Sequence, residues 1–433
     1  MDVVFFLQSI QLSWLCNNYY CGYWAFLSYF VIVLFVSFPF FIFGALIFYR
    51  PIFLSALWTL IEWFRSIAGF PFNLVGLGLT FHHFGMQIVA WSGIFGLSFW
   101  IIFISLLSAQ RKYLLWSICS ALPFIHGFIY LWINAQACVT GKMYHVALIQ
   151  TGLSEEERGN VVMQDGDSKK NLSLEEQWAR VQRFLDDTQR EHFDLIVFPE
   201  TAFPSDIISA RISCEENVQM AQNLARKYDS EIIIGLIQGD KNAAFYISPQ
   251  QKCGEVYEKQ ILVPFGEYLP ITFLMPIVQS VFHFVPRLSP GKKTKVFYGK
   301  IPLSVSICYE ECFGFLVRNN RKEGARILVN ITNDGWFPHS CLSLEHFYYG
   351  RARAVENGAH VIRACHTGIS GAIHPSGQVL EMEREDFAGV ICTTIADLSQ
   401  QTIFTRFGDS PILFVCCVIV FVFCIAKFLQ FVN

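Results

Sequence analysis

Charge is scarce at both ends of this chain. Of its 67 Asp, Glu, Lys and Arg residues, six fall in the first 133 positions and one in the last 23, out of 433. Such ends, in a chain that is 53% hydrophobic and holds 43 Phe, exclude a wholly soluble protein, and they exclude disorder, which requires low hydrophobicity. An excess of positive charge is missing as well. A net charge of −3 and a pI near 6.4 leave no basic field to hold nucleic acid. The 14 cysteines lack regular spacing, so neither a zinc ribbon nor a disulfide framework is expected. There is no internal repeat and no low-complexity tract. The opening MDVVFFLQSIQLSWL has neither the basic leader nor the small-residue cleavage site of a signal peptide, and reads as part of a span or an interfacial helix.

Long uncharged runs are present instead. Residues 22–49, 86–109 and 113–133 contain no Asp, Glu, Lys or Arg, and each meets the roughly 20 residues that cross a hydrocarbon core. Residues 411–426 continue past Lys427 to 431, where the lysine can snorkel, which predicts a final span. A fifth candidate covers 51–69 and carries Glu62 and Arg65, three apart on one helix face and therefore expected to pair. Arg50, Arg111, Lys112 and Lys427 all fall on one side when the spans are counted, and the positive-inside rule makes that side cytoplasmic. Residues 134–410 hold the remaining 60 charges, about 22% of that segment and close to the globular norm of roughly 25%. The expected organisation is a transmembrane helical domain over 1–134, a soluble domain over 142–400 on the outer side, and a C-terminal transmembrane helix over 411–432.

In the soluble part, short β-rich runs at 144–150, 195–198, 231–236, 243–248, 302–307, 326–331, 360–364 and 389–395 alternate with helical stretches. Ser173 with Glu176 forms a capping box that opens a helix to about residue 191. Further helices are expected at 215–227 and at 344–357, the latter stopped by Gly358. Pro375, Ser376 and Gly377 make a turn between two strands, and 154–170 reads as a polar loop. Interleaved strands and helices point to a layered α/β domain.

Three strand ends carry a reactive side chain. Glu200 follows LIVFP, where flanking prolines stiffen the junction as a positioned base would need, though a polar residue capping a strand looks the same. Lys259 precedes QILVPFGEYLP, with Glu267 inside that turn; a lysine there could hold fixed positive charge for an oxyanion, or simply be solvated. Cys308 follows SVSI at a strand-to-helix junction, where a helix start would lower its pKa, while a buried structural cysteine is the plainer reading.

Taken in order, PETAFP, KQILVPFGEYLP, SICYEECFG and NITNDGWF resemble the apolipoprotein N-acyltransferases of the nitrilase superfamily, and EWFRSIAGFPFNLVG resembles that family's membrane signature. The likeness extends from about Trp24 to the last span. It implies a nitrilase-like αββα sandwich inserted between transmembrane helices of the bacterial inner membrane, facing the periplasm. It implies ping-pong acyl transfer with Glu200 as base, Cys308 as nucleophile and Lys259 at the oxyanion. The donor would be a phospholipid and the acceptor the α-amine of a diacylated apolipoprotein, with neither metal nor nucleotide needed and a monomer expected. By the same resemblance Glu267, Tyr309 and Glu310 support the triad. Asn333, Asp334, Trp336 and Phe337 would line the site. Trp178 falls near a functional Trp on a mobile arm, although a packed helix Trp fits its surroundings equally.

The chain departs from the family pattern in two places. About three further spans are expected before residue 22, where some twenty residues stand, and Cys365-His366 replace the usual Thr-Asn. Cys312, one turn beyond Cys308, is poorly disposed for a disulfide with it. Two other functions compete: a membrane-anchored carbon-nitrogen hydrolase acting on small amides, and a decayed copy that binds lipoproteins without turnover.

Overall fold

The computed structural model describes residues 12–16, 26, 29–34, 36–38, 50–134, 142–154, 157–158, 172–204, 214–250, 254–264, 266–268, 288–397 and 401–432. Most of the expected span at 22–49 and of the polar loop at 154–170 lies outside them.

Beyond the described helical residues within 26–38, the membrane part contains α1 (Pro51–Ile67), with proline at its first turn, then passes through short 3-10 turns at Val75–Leu79 and Gly85–Ile88 into α2 (Val89–Ala109) and α3 (Tyr113–Asn134). Helix α2 is broken at Gly93, whose φ of 65° and contact with the Phe404 ring leave no room for a side chain: a Cβ would sit 2.5 Å from that ring. The expected Glu62–Arg65 pair does not form. Glu62 instead accepts a hydrogen bond from Val75 N (2.9 Å), and Arg65 donates to the carbonyls of Phe72 (2.9 Å) and Asn73 (3.3 Å). The loop after α1 has backbone groups with no helical partner, and these two side chains meet that need better than they meet each other.

Among the described residues, the soluble part forms two six-stranded sheets. Strands β1 (Met143–Gln150), β2 (Leu195–Val197), β3 (Glu231–Gln238), β4 (Lys241–Ile247) and β5 (Glu255–Glu258) form the first, closed on the other side by the last strand, in the order β12-β1-β2-β3-β4-β5. The second holds β6 (Val296–Tyr298), β7 (Pro302–Ile307), β8 (Ile327–Thr332), β9 (His360–Cys365), β10 (Ser370–Ile373) and β11 (Val379–Glu383), in the order β11-β10-β9-β8-β7-β6; β12 is Gly389–Ala396. Strands β1, β2 and β3 run parallel, as do β7, β8 and β9. Such central strands are buried on both faces, which is why LIV in β2 and III in β3 read as unbroken apolar runs, and why Asn330 of β8 is buried along with its apolar neighbours.

Val146, Leu148, Val197 and Ile233 of one sheet meet Val305, Ile307, Val329 and Ile362 of the other in the central core. Helices α4 (Leu174–Asp187) and α5 (Cys214–Lys227) cover the first sheet's outer face. Helices α6 (Gly314–Lys322) and α7 (Leu342–Asn357) cover the second, completing an αββα sandwich. The capping box is present, with Ser173 Oγ accepting from Glu176 N and Glu176 Oε2 from Ser173 N, although α4 stops at Asp187 rather than near 191. Four strands escape the sequence reading as separate segments or were seen only as flanks of a turn: β5, β6, β10 and β11 are three to five residues long, too short to show a period of two.

The chain leaves the sandwich through α8 (Ile403–Phe407) and ends in α9 (Ser410–Val432), where Phe423 stacks on Phe53 of α1 at 4.0 Å. Among the described residues, three helices are long and apolar enough to cross a membrane: Gly85–Ala109, Tyr113–Asn134 and Ser410–Phe431. The loop between α1 and α2 is docked on the sandwich: Tyr309 and Tyr349 donate their hydroxyls to the Gly69 and Pro71 carbonyls, and Asn73 N donates to Glu345 (3.0 Å). Further along, Ile94 N, freed by the break at Gly93, donates to Glu356 of α7 (2.9 Å).

Candidate active site

Topology brings the three predicted reactive residues to one edge. Glu200 lies just past β2, and because β4 is antiparallel to both β3 and β5, β5 runs in the same direction as β2, so Lys259 emerges beside Glu200. Cys308 follows β7 in the facing sheet. Lys259, 1% exposed, places its Nζ 3.3 Å from Glu200 Oε1 and 2.9 Å from Glu267 Oε1. Asn242 at the start of β4 spans the same two carboxylates, its Nδ2 donating to Glu200 (2.7 Å) and Glu267 (3.0 Å), and Glu267 Oε2 accepts from Val263 N (2.8 Å). A buried ammonium between two carboxylates and an amide has its charge compensated, which burial demands.

Backbone constraints fix where these groups point. Cys308 and Thr201 are among the few non-glycine residues with positive φ, at 52° and 44°, so the nucleophile candidate and the residue after Glu200 both stand on sharp, strained turns. The Glu200 turn lies against Gly235 of β3, where a Cβ would sit 2.7 Å from Glu200 Cα and 2.9 Å from Ile331 Cδ1. Only a residue without a side chain lets the turn and the second sheet approach this closely.

Electrostatics follow from burial and from neighbours. Burial pushes the Glu200 carboxyl above its usual range, against the pull of Lys259. Burial alone would depress Lys259, but Glu200 and Glu267 outweigh it and hold the ammonium well above its ordinary value. The Cys308 thiol was expected to be lowered by its helix start; it is raised well above the ordinary thiol value, by burial first and by Glu200 second, with Lys259 opposing. The turn that follows is a five-residue 3-10 segment, too short for a helix dipole to offset the loss of water. The resting site is therefore a neutral thiol beside a carboxylate of raised proton affinity and a fixed cation.

The predicted supporting residues divide into groups. Glu310 is fully buried and accepts from Tyr257 Oη (2.9 Å), Gln260 N (2.6 Å), Ile261 N (3.1 Å) and Ile307 N (2.8 Å), tying the Cys308 turn to the segment after Lys259; burial pushes its pKa up to about 7. Tyr309 links that turn to the membrane loop through Gly69 and packs near Phe72, with ring centroids 5.5 Å apart. Asn333 is buried just ahead of the Asp334–Trp336 turn, Trp336 is 41% exposed, and the Phe337 ring meets Trp14 edge-on at 5.1 Å. Trp178 is a packed helix residue: it stacks on Phe203 at 4.0 Å and donates to Asn217 (3.1 Å) in the core between α4, α5 and the sheet.

Several site residues escaped the sequence reading. Arg363, wholly buried on β9, contacts Glu311, Asn330 Oδ1 (3.1 Å) and Asp334 Oδ2 (2.8 Å). Asn330 in turn donates to the Cys308 carbonyl (3.3 Å), and His346 Nδ1 lies 3.1 Å from Asp334 Oδ1. The readable signal was a charged residue inside HVIRAC, since an arginine in a buried strand requires an anion. Asn242, a lone amide opening the apolar KNAAFYI, gave a similar signal. Among the described residues no group of three or more His, Cys, Asp or Glu could hold a metal ion, and Cys308, Cys312 and Cys365 are free thiols.

Residues 145–404 match the family model for carbon-nitrogen hydrolases, and residues 3–107 match that of the apolipoprotein N-acyltransferase N-terminal domain. The chain belongs to the carbon-nitrogen hydrolase family. Within it, the chain is similar to the apolipoprotein N-acyltransferase of Chlamydia muridarum, 29% identical over 94% of this chain and 84% of that protein. It is also similar to that of Rickettsia prowazekii, 28% identical over 84% of this chain and 74% of that protein. A solved nitrilase-superfamily protein from Saccharomyces cerevisiae is 19% identical, with a TM-score of 0.42, over 59% of this chain and 90% of that one.

Proposed function

We propose that this protein is a membrane-embedded acyltransferase that moves a fatty acyl chain from a phospholipid to the N-terminal α-amine of a diacylated apolipoprotein. The observation that carries the reading is the convergence of Glu200, Lys259 and Cys308 at one sandwich edge, directly linked through Tyr309 to the loop of the membrane part. The similarity to apolipoprotein N-acyltransferases supplies the substrate class. Glu200 takes the thiol proton as Cys308 Sγ attacks the carbonyl carbon of the donor's ester. Lys259 and the N–H of Tyr309 hold the tetrahedral oxyanion, and its collapse expels a lysophospholipid, whose oxygen receives the proton from Glu200. The acceptor amine then attacks the thioester, Glu200 takes a proton from the amine, and the Cys308 sulfur leaves to be reprotonated. A thiol that is neutral at rest ionises only as it attacks, which limits side reactions, and the apolar surroundings keep water from the thioester.

The helices hold the site at the leaflet where both lipid substrates reside. With Arg50, Arg111, Lys112 and Lys427 on the cytoplasmic side, the sandwich faces the periplasm of the bacterial inner membrane. Purified protein given phosphatidylethanolamine and a diacylated lipopeptide should release N-acylated peptide. Ammonia release from small amides, with no lipid-dependent transfer, would replace this reading with an amidase.

A further inference from the structure

His366, at the position where the family pattern departs, lies just past β9 and is fully buried. Its Nε2 is 2.8 Å from the backbone carbonyl of Glu200, and its Nδ1 is 2.8 Å from Thr151 Oγ1 just past β1. A carbonyl only accepts, so Nε2 carries the proton and Nδ1 accepts from the Thr151 hydroxyl. Gly152 N donates back to the His366 carbonyl (3.0 Å), so the residues after β1 and β9 grip each other, and through the imidazole they grip the turn after β2. The next carbonyl in that turn, at Thr201, accepts from the buried Arg158, which also contacts Thr201 Oγ1 at 3.1 Å. The strained positive-φ residue of the turn is thus held on both sides by buried donors, as strain requires.

We propose that His366 is a positioning residue that sets the reach of the Glu200 carboxylate to the Cys308 thiol by holding the Glu200 backbone through its Nε2–H. It touches neither reacting atom. The imidazole ties β9 of one sheet to β2 of the other at the edge where base and nucleophile face each other, so a change in its donor moves Glu200 relative to Cys308. A metal-binding role for Cys365 and His366 is not needed to explain them: both imidazole nitrogens have partners, and Cys365 Sγ accepts from Gly368 N at 3.1 Å. This inference rests on Glu200 being the base for Cys308, as in the proposed function, but not on the identity of the substrate.

Glutamine places an amide N–H where His366 carries Nε2, whereas leucine and phenylalanine fill the space without a donor. The test measures alkylation of Cys308 by iodoacetamide, and kcat and KM for acyl transfer, in His366→Gln, His366→Leu and His366→Phe. Displacement of a reacting group by about 1 Å costs on the order of a hundredfold, so Phe and Leu are expected to lower kcat and alkylation at least tenfold with KM unchanged, while Gln stays within about threefold. In a Glu200→Gln background, His366→Leu should cause no further loss, because the base it positions is gone. Equal losses for Gln and Leu, or a full additional loss in the Glu200→Gln background, would overturn the proposal. The smaller Leu serves if Phe fails to fold. If His366 controls alkylation but no acyl transfer occurs in the wild type, the substrate reading fails and the positioning role stands.

Discussion

Replacing Lys259 by methionine removes a buried cation from between two carboxylates while nearly keeping its volume. Glu200 Oε1 and Glu267 Oε1 lie 3.3 and 2.9 Å from Nζ, and Lys259 is 1% exposed, so the change leaves negative charge in the interior with no cation beside it, met by the Asn242 amide and, at Glu267, by Val263 N. Breaking a buried pair by removing one partner costs about 3–5 kcal/mol, and for a domain of this size each kcal/mol shifts Tm by about 2–4 °C. The expected loss is on the order of 10 °C near pH 8, read by thermal unfolding in detergent. The pH dependence separates charge from packing. In the wild type the Lys259 pKa is raised in the fold, so its stabilisation is fully present at neutral pH and fades only as pH rises toward that value. In Lys259→Met the Glu200 carboxyl, already raised by burial, escapes its penalty by taking a proton, so the deficit should shrink as pH falls toward 5. An equal deficit at pH 5 and pH 8, or none at either, would refute the reasoning. Acyl transfer should be lost at every pH.

Other substitutions probe separate parts of the account. Gly235→Ala forces a Cβ against Glu200 Cα and Ile331, and should destabilise by about 1–3 kcal/mol and lower kcat, checked by denaturation and turnover together. Cys308→Gly should be more stable than Cys308→Ala by about 1–2 kcal/mol, because glycine relieves the left-handed backbone at φ 52°; both should be inactive. Burial pushes Glu356, which holds Ile94 N at the break in α2, up to about 7. A carboxyl whose folded pKa is raised gives stability that is present at acid pH and lost as pH rises from its unfolded value near 4.5 through about 7, so Glu356→Gln should flatten the change in Tm across that window.

The parts of the fold legible in the sequence were those that impose a long or reinforced pattern. Uncharged runs located α2, α3 and α9, the Ser173–Glu176 box opened α4, and central strands such as β3, with its III run, were readable as apolar runs. Local pattern could not reveal pairings across long sequence separations. Glu62 and Arg65 look like an i,i+3 pair, yet their partners are backbone groups of the following loop, whose conformation depends on docking to α7. The order of Glu200, Lys259 and Cys308 was visible, but the roles of Asn242, Arg363 and His366 depend on β4 and β9 delivering them to the same edge. The thiol was misread because helix-start electrostatics can be seen in sequence while desolvation cannot.

The central claim is that Cys308 carries the acyl group between two lipids. Intact-mass and peptide mass spectrometry after incubation with phosphatidylethanolamine tests it most directly. The account predicts an acyl adduct on Cys308 that disappears on adding diacylated lipopeptide, with N-acylated peptide appearing in equal amount, and no adduct in Cys308→Ala. An adduct on another residue, or N-acylated peptide formed by Cys308→Ala, would contradict it.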